Sequence, residues 1–328
     1  MQQHLVPRAY LKGFTDPHVP GGQEPYLWIY ERGGKGEYRR APQKTAVRKH
    51  YYSFRDEGGK RDMSVEAFLG KLESLGMPIL KRLAGGDDPS SLSDNDRLSF
   101  ATFAAALSVR TPRWRDMVER SAAELMGRAT RVMASDKESF KDSVRRAISA
   151  GAMKEPVDIE RMREFILSGE YDLSVNPVFS LAMMVQLIPH ITPYLYGYKW
   201  RLLETSADRI GFVTSDAPLT QVSTERLPAP YGWGAGWETP WMEATLPLTP
   251  KCCLLISLHH PEGREVVSEK TVREVNWRTA AHAGEKVFSS RKLASPTREL
   301  DRPRDWEWWQ PATSELVPTQ PEAEGERP

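Results

Sequence analysis

The chain of 328 residues has few of the features that identify a function directly. It contains only two cysteines, Cys252 and Cys253, which are adjacent within the apolar run CCLLISL. On a strand they would point to opposite faces, so a disulfide between them would strain the backbone, and there is no other thiol to pair with either. This cysteine usage favours a reducing compartment, and we predict a cytoplasmic protein.

Other common signatures are missing too. The sequence has no Cys/His pairs at zinc-ligand spacing and no glycine-rich run that ends in Lys-Ser or Lys-Thr as a phosphate loop does. His259 and His260 are neighbours, and we expect both at the surface end of a strand. Lys and Arg number 45 against 44 for Asp and Glu, so an anionic partner would have to bind a local patch. The cofactor stays open, because a carboxylate such as Asp216 can bind a divalent metal but no ligand spacing supports one.

Membrane signals are weak. The start, MQQHLVPRAYL, lacks the basic and apolar segments of a signal peptide. The most apolar stretch, residues 177–198, is interrupted by Gln186, Pro189, His190 and Pro193, and it falls short of a spanning helix. No membrane partner is predicted, and the oligomeric state stays open.

Hydrophobic periodicity predicts an α+β fold. Alternation indicates a strand-rich segment over 1–60 and another over 198–290, whereas spacings of three and four indicate helices throughout 63–195. Long helices without intervening strands argue against a doubly wound parallel sheet. We therefore predict one domain over 1–295, with a mixed or antiparallel sheet built from N- and C-terminal strands around a helical middle. The Pro- and charge-rich tail over 296–328 is predicted to be largely disordered, and docking of its tryptophans stays open: Trp306, Trp308 and Trp309.

The opening residues HLVPRAYLKGF contain the pattern His-x-x-Pro-x-x-Tyr-Leu-x-x-Phe. With RTP at 110–112, FVTSDAP at 212–218 and an Asn in the last predicted helix, this resembles the bacterial family catalogued as domain of unknown function 4238. The resemblance covers most of the chain up to about residue 290. It implies no activity, and it carries over these positions only: His4, Pro7, Tyr10, Leu11, Phe14, Arg110, Pro112, Ser215, Asp216, Pro218 and Asn276.

The polar members of that set suggest chemistry. His4 is a candidate general acid or base, since imidazole titrates near neutral pH. Asp216 could orient His4 or activate a water, Arg110 could clamp a phosphate or carboxylate, and Asn276 could stabilise an oxyanion. Each also has a structural interpretation, because Asp in SDAP is a common turn residue and Arg110 could satisfy carbonyls at a helix break. The candidate catalytic set is His4, Asp216, Arg110, Ser215 and Asn276.

A basic run, RRAPQKTAVRKH, lies at 39–50 and is followed by two tyrosines. Cations for phosphates and aromatic rings for stacking are the components of a single-strand nucleic-acid site, although a charge run is more often a solvated hairpin. The candidate nucleic-acid-binding residues are Arg39, Arg40, Lys44, Arg48 and Lys49.

Three functions remain open from the sequence. The leading hypothesis is a hydrolase of phosphodiester or nucleotide-like substrates, such as a nuclease, that uses His4 and Asp216. A non-catalytic sensor that binds a small anion or a partner segment is the first alternative. A nucleic-acid-associated component of antiviral defence is the second.

Overall fold

The computed structural model describes residues 2–33, 37–55, 58–153, 158–206, 210–224, 236–239 and 241–293. Its α-helices, in chain order, are α1 Arg8–Leu11, α2 Ser64–Gly85, α3 Asp94–Val109, α4 Pro112–Ser135, α5 Lys137–Ser149, α6 Ile159–Ser168, α7 Pro177–Gly197 and α8 Glu269–His282. Its strands are β1 Gln2–His4, β2 Leu27–Glu31, β3 Glu37–Arg40, β4 Val47–Lys49, β5 Phe54–Arg55, β6 Arg61–Asp62, β7 Lys199–Glu204, β8 Thr214–Ser215, β9 Thr220–Ser223, β10 Met242–Thr249, β11 Cys252–Ser257, β12 Gly263–Val266 and β13 Lys286–Ser289. The tail predicted to be disordered lies outside the described residues.

The chain divides into two compact units. The first comprises Met1–Trp114 with Met183–Pro328, and the second comprises Arg115–Ala182. In the second unit, the helices α5 and α6 pack around a small apolar core that contains Phe140 and Val144. The single domain expected over 1–295 stays a prediction.

Strands from both ends of the chain meet in one four-stranded sheet of the first unit. Its order is β3-β2-β13-β8, with antiparallel neighbours throughout. Val287 of β13 lies between Tyr30 of β2 and Ser215 of β8, so N-terminal and C-terminal residues share one ladder. This arrangement confirms the α+β class and the predicted sheet.

The second large sheet is built from the C-terminal half of the chain. Its order is β12-β7-β11-β10-β9, and β12 runs parallel to β7 while the other pairs are antiparallel. The apolar run CCLLISL forms the central strand β11, which explains why alternation with polar residues is absent there. Val272 and Val275 of α8 pack on this sheet with Leu203, Cys253 and Leu255.

The α2–α3 pair places the helix break on which the candidate site depends. Gly76 allows close contact with Phe103, since a Cβ at this position would lie 2.3 Å from the ring. Ser93 caps α3 by accepting a hydrogen bond from the amide of Asp96. The helix ends at Val109 and α4 starts at Pro112, as expected because the residue before a proline avoids the α conformation. Arg110 therefore lies at a bend.

Two prolines do not end α7. The expected apolar helix over 179–188 extends to Pro177–Gly197 and contains Pro189 and Pro193. By length and composition, α7 is the one helix among the described residues that could cross a membrane. A core helix passes the same test, and Ile188 and Leu195 of α7 are buried.

Candidate functional site

A cleft of about 500 Å³ lies in the first unit, between the N-terminal segment, α2 and the α3–α4 bend. We call it the His4 cleft. Its lining residues are His4, Arg8, Ala9, Lys12, Glu66, Glu73 and Arg110. Two residues of the predicted catalytic set, His4 and Arg110, thus lie together.

His4 is the last residue of β1, where it pairs with Val47 of β4. Its Nε2 atom is buried, and no described residue offers it a hydrogen-bond partner. Burial lowers the pKa of His4, and the positive charges of Arg8 and Arg110 act in the same direction, against the opposing effects of the Pro42 backbone and Glu73. The imidazole is therefore held neutral at near-neutral pH, with a nitrogen available to accept a proton.

Arg110 is almost fully buried and organises the floor of the cleft. Its Nη1 donates to Oε1 of Glu73 at 2.7 Å, and its Nη2 donates to the carbonyl of His4 at 2.7 Å. Its guanidinium also lies 5.4 Å from the ring centroid of Tyr52, whose hydroxyl donates to the Arg110 carbonyl at 2.9 Å. Both terminal nitrogens are thus occupied by protein acceptors, so Arg110 fixes His4 and Glu73 relative to each other.

Glu66 supplies a second unpartnered atom. It lies on α2 seven residues before Glu73, a spacing that puts both carboxylates on one helix face. Its Oε2 is buried and has no hydrogen-bond partner in the described part of the chain. Burial raises the pKa of Glu66; the nearby Arg110 opposes this rise and Glu73 adds to it. Sequence reasoning missed both glutamates, although their spacing on a predicted helix was visible.

Two cations stand at the rim of the cleft. Arg8 and Lys12 are exposed and four residues apart, so they share one face of the short helical segment at α1. Pro7 precedes this helix, and Tyr10, Leu11 and Phe14 anchor it in the core. The rim therefore combines positive charge with a fixed backbone, which suits an anionic ligand.

Asp216 lies elsewhere, in the turn after β8. Its carboxylate accepts hydrogen bonds from the amides of Gly284, Glu285 and Lys286 at 2.7, 2.7 and 3.2 Å. Burial raises its pKa, and these three amides act in the opposite direction. A Cβ at Gly284 would lie 2.9 Å from Oδ2 of Asp216, so glycine is needed for this close approach. Asp216 ties the start of β13 to β8.

Ser215 and Asn276 also make backbone contacts. Ser215 Oγ donates to the carbonyl of Ala217 and accepts from its amide. Asn276 Oδ1 accepts from the amide of Val213, and its Nδ2 donates to the carbonyl of Gly211, each at 2.9 Å. Ser215, Asp216 and Asn276 are not among the residues that line the His4 cleft.

The motifs that carry the family resemblance contact one another. The hydroxyl of Tyr10 lies 2.7 Å from Oγ1 of Thr214, directly before Ser215, and it donates to the carbonyl of Pro247 at 2.6 Å. The family model described as protein of unknown function (DUF4238) matches residues 2–293. The chain belongs to this family.

For this DUF4238 protein, no curated protein and no solved structure gives a significant match. The family description names no activity.

A second polar cluster in this DUF4238 protein was not anticipated from its sequence. Glu243 on β10 contacts Nε2 of His260 at 2.9 Å and accepts from Nη1 of Arg278 at 2.7 Å, and Arg278 also binds Glu274. We call these four residues the inner network. The expectation that His260 lies at the surface was wrong, because it is 6% exposed; His259 is exposed and stacks on Trp241. Burial alone would raise the pKa of Glu243, but His260 and Arg278 hold it below its ordinary value.

The predicted nucleic-acid-binding residues are all exposed. Arg39 lies over the rings of Tyr26 and Trp28, Arg40 lies over Tyr38, and Arg48 lies over Tyr51. No group of three or more His, Cys, Asp and Glu suited to a metal ion occurs within the described ranges. Cys252 and Cys253 are buried and unpaired, and burial raises the pKa of Cys252 to about 12, so it has little thiolate character.

Proposed function

We propose that this protein is a hydrolase of phosphodiester or nucleotide-like substrates whose reaction takes place in the His4 cleft. The observation that carries the proposal is the presence of two buried, unpartnered atoms in one cleft, Nε2 of His4 and Oε2 of Glu66. A buried polar atom without a partner costs roughly 1–3 kcal/mol, and such atoms are explained most simply by a ligand that pairs with them.

The protonation states suit acid–base chemistry. The pKa of His4 is lowered and that of Glu66 is raised, so the two move toward each other. At a given pH the first shift favours the neutral imidazole and the second favours the protonated carboxyl group. Such a pair assigns the base to His4 and the acid to Glu66.

The proposed step is a displacement at phosphorus. Nε2 of His4 accepts a proton from water, and the water oxygen forms a bond to phosphorus. The bond from phosphorus to the leaving oxygen breaks, and Glu66 donates its proton to that oxygen. Arg8 and Lys12 bind the non-bridging oxygens, whereas Arg110 is a positioning residue that acts through His4 and Glu73.

Glu66 replaces Asp216 as the carboxyl group that acts together with His4, and its role is that of the acid. The oxygens of Asp216 already accept three backbone hydrogen bonds, whereas an oxygen of Glu66 has none. The cytoplasm remains our expected compartment, since both cysteines are buried and unpaired. A place in bacterial antiviral defence stays a prediction from the basic run.

The non-catalytic alternative, a sensor of small anions, would use the same cleft. It is favoured by the occupied guanidinium of Arg110, which leaves the exposed Arg8 and Lys12 as anion ligands. Under this alternative, phosphate binds in a manner that depends on Arg8 and Lys12, but no ester is turned over.

Hydrolysis of bis(p-nitrophenyl) phosphate by His4→Gln tests the proposal. We expect the rate to fall about 10²–10⁴-fold, as is typical for loss of a general base. The melting temperature should stay near that of the wild type, because Nε2 has no hydrogen-bond partner among the described residues. The matched control is His18→Gln, an exposed histidine outside the cleft, which should keep full activity. An unchanged rate in His4→Gln would refute the catalytic role.

The pH profile gives a second readout. The active base forms as pH rises through the pKa of His4, which lies below its ordinary value of 6.5. The active acid is lost as pH rises through the pKa of Glu66, which lies above its ordinary value of 4.5. We expect a bell-shaped profile of kcat/KM with its optimum on the acid side of neutrality, and a rate that only increases up to pH 9 would contradict this assignment.

A further inference from the structure

The segment that neighbours His4 is unusually basic. Residues 38–55 contain six Arg and Lys residues and no Asp or Glu. The segment contacts His4 at Pro42, whose backbone influences the pKa of that histidine, and the 3₁₀ turn Pro42–Lys44 packs against α1. The positive charge of the segment therefore continues from the cleft that contains Arg8 and Lys12.

The β1–β4 ladder fixes the direction of one of these cations. In an antiparallel pair, residues directly opposite each other project to the same face, and so do residues two apart on one strand. His4 is opposite Val47, and Gln2 is opposite Lys49. Lys49 therefore projects to the same face of the ladder as His4, displaced by two residues, or about 6.6 Å along the strand. Arg48 and Gln3 project to the other face.

Four of the five predicted nucleic-acid-binding residues are free to bind a ligand. Arg39, Arg40, Lys44 and Lys49 are exposed and form no ion pair with any residue in the described part of the chain, whereas Arg48 contacts Glu285 at 3.3 Å. A phosphate does not have to displace a protein carboxylate from these four. Their charge is thus available to a ligand in solvent.

Aromatic rings accompany the cations. Arg39 lies 5.0 Å from the ring centroid of Tyr26 and 5.5 Å from that of Trp28, and Arg48 lies 5.6 Å from that of Tyr51. These three rings are half-buried, so each keeps part of its surface in contact with solvent. A guanidinium that lies over a ring keeps its charge and its N–H groups, and exposed ring surface accepts a base by stacking.

We propose that the substrate of the His4 cleft is a single strand of nucleic acid, held beyond the scissile phosphate by Lys49 and Lys44 and by Arg39 with its neighbouring rings. This inference rests on the proposed function and names its substrate class. Single-stranded nucleic acid fits better than a duplex. The segment 38–55 contains short β-strands and no α-helix of the kind that enters a major groove. A membrane surface is disfavoured, since no large exposed apolar side chain occurs among the described residues of this segment.

The probe is a 12-nucleotide deoxythymidine oligomer labelled with fluorescein, titrated with full-length protein while fluorescence anisotropy is recorded over a series of salt concentrations. A phosphate contact to a single strand contributes about 0.7 to the slope of log K against log salt. The double variant Lys44→Gln/Lys49→Gln removes two such contacts, so it should reduce the magnitude of the slope by about 1.4 and weaken binding. The matched control, Lys199→Gln, removes an exposed lysine with no described ion-pair partner and should leave the slope unchanged.

An unchanged slope in the double variant, or an equal decrease in Lys199→Gln, would overturn the inference, and so would equal affinity for a 12-base-pair duplex. Failure of the proposed function has a different readout. In that case neither bis(p-nitrophenyl) phosphate nor the oligomer is cleaved faster by the wild type than by His4→Gln. If the wild type cleaves the small diester in a His4-dependent manner while the oligomer binds without dependence on Lys44 and Lys49, only the substrate class is wrong.

Discussion

The His4 cleft and the inner network contain the same types of residue away from the rim of the cleft, and they differ in how the polar atoms are hydrogen-bonded. Each has one histidine, two glutamates and one buried arginine: His4, Glu66, Glu73 and Arg110 in the cleft beneath Arg8 and Lys12, and His260, Glu243, Glu274 and Arg278 in the network. In the network, both carboxylate oxygens of Glu243 are hydrogen-bonded to cationic or titratable partners. In the cleft, one nitrogen and one carboxylate oxygen have no partner within the described ranges.

The difference separates a structural role from a functional one. A buried ion pair whose members satisfy each other has nothing left to offer a ligand, and removing one member leaves an unpaired buried charge. Unpartnered buried atoms contribute nothing to the fold and lower its stability. The same residue types therefore predict a loss of stability on substitution in one place and a loss of activity in the other.

The largest expected effect is that of Arg278→Met in the inner network. We expect the free energy of unfolding to fall by about 3–5 kcal/mol, because Glu243 is left buried with its charge only partly compensated. Urea denaturation measures this change. The control is Arg201→Met, which breaks the more exposed contact with Glu265 and should cost under about 1 kcal/mol. Equal losses in the two variants would show that the network is not special.

A smaller effect is expected at the β8–β13 connection. Asp216→Ala should lower the free energy of unfolding by about 2–3 kcal/mol, because three backbone amides lose the buried carboxylate that accepts from them. Asp216→Asn keeps one acceptor oxygen and should lose less. If Asp216→Ala instead abolished hydrolysis with unchanged stability, the catalytic role considered from the sequence would be restored.

The smallest effect on stability is expected for Glu66→Gln, which should change the free energy of unfolding by no more than about 0.5 kcal/mol at pH 7. Because the folded-state pKa of Glu66 is raised, the folded protein retains this proton more strongly than the unfolded chain, and stability falls as pH rises through the window above 4.5. The variant should lose this contribution and also the falling limb of the kcat/KM profile.

The readout is urea denaturation at pH 4.5 and pH 7, together with kcat/KM over the same range. Glu164→Gln, an exposed glutamate, is the control. A retained falling limb in Glu66→Gln would exclude this carboxyl group as the acid.

Hydrophobic periodicity, helix caps and helix-breaking residues predicted much of the fold. The capped start of α3, the break at Pro112 and the central strand at CCLLISL all follow from local sequence. The continuation of α7 through Pro189 and Pro193 did not, because packing of its apolar face outweighed the local cost of proline. The short strand β12 was missed because it is only half-covered and pairs in parallel with a strand some 60 residues earlier.

The candidate site was harder to predict. His4 and Arg110 were found through the motif, but the partners of Asp216 lie 68 to 70 residues away along the chain and cannot be read from SDAP. Which glutamates of α2 face a cleft depends on what packs beside that helix. The burial of His260 follows from its pairing with Glu243, a contact that adjacent histidines in a sequence do not reveal.

The Tyr10 hydroxyl contacts Thr214 and Pro247, which lie 204 and 237 residues later in the chain. Strand β2 pairs with β13, which lies near the end of the described chain. During synthesis the N-terminal segment therefore emerges long before its partners exist, and its strand edge stays unpaired until the C-terminal strands arrive. Contacts between residues so far apart in the sequence form slowly. Ribosome-bound or prematurely terminated chains should consequently depend on chaperones.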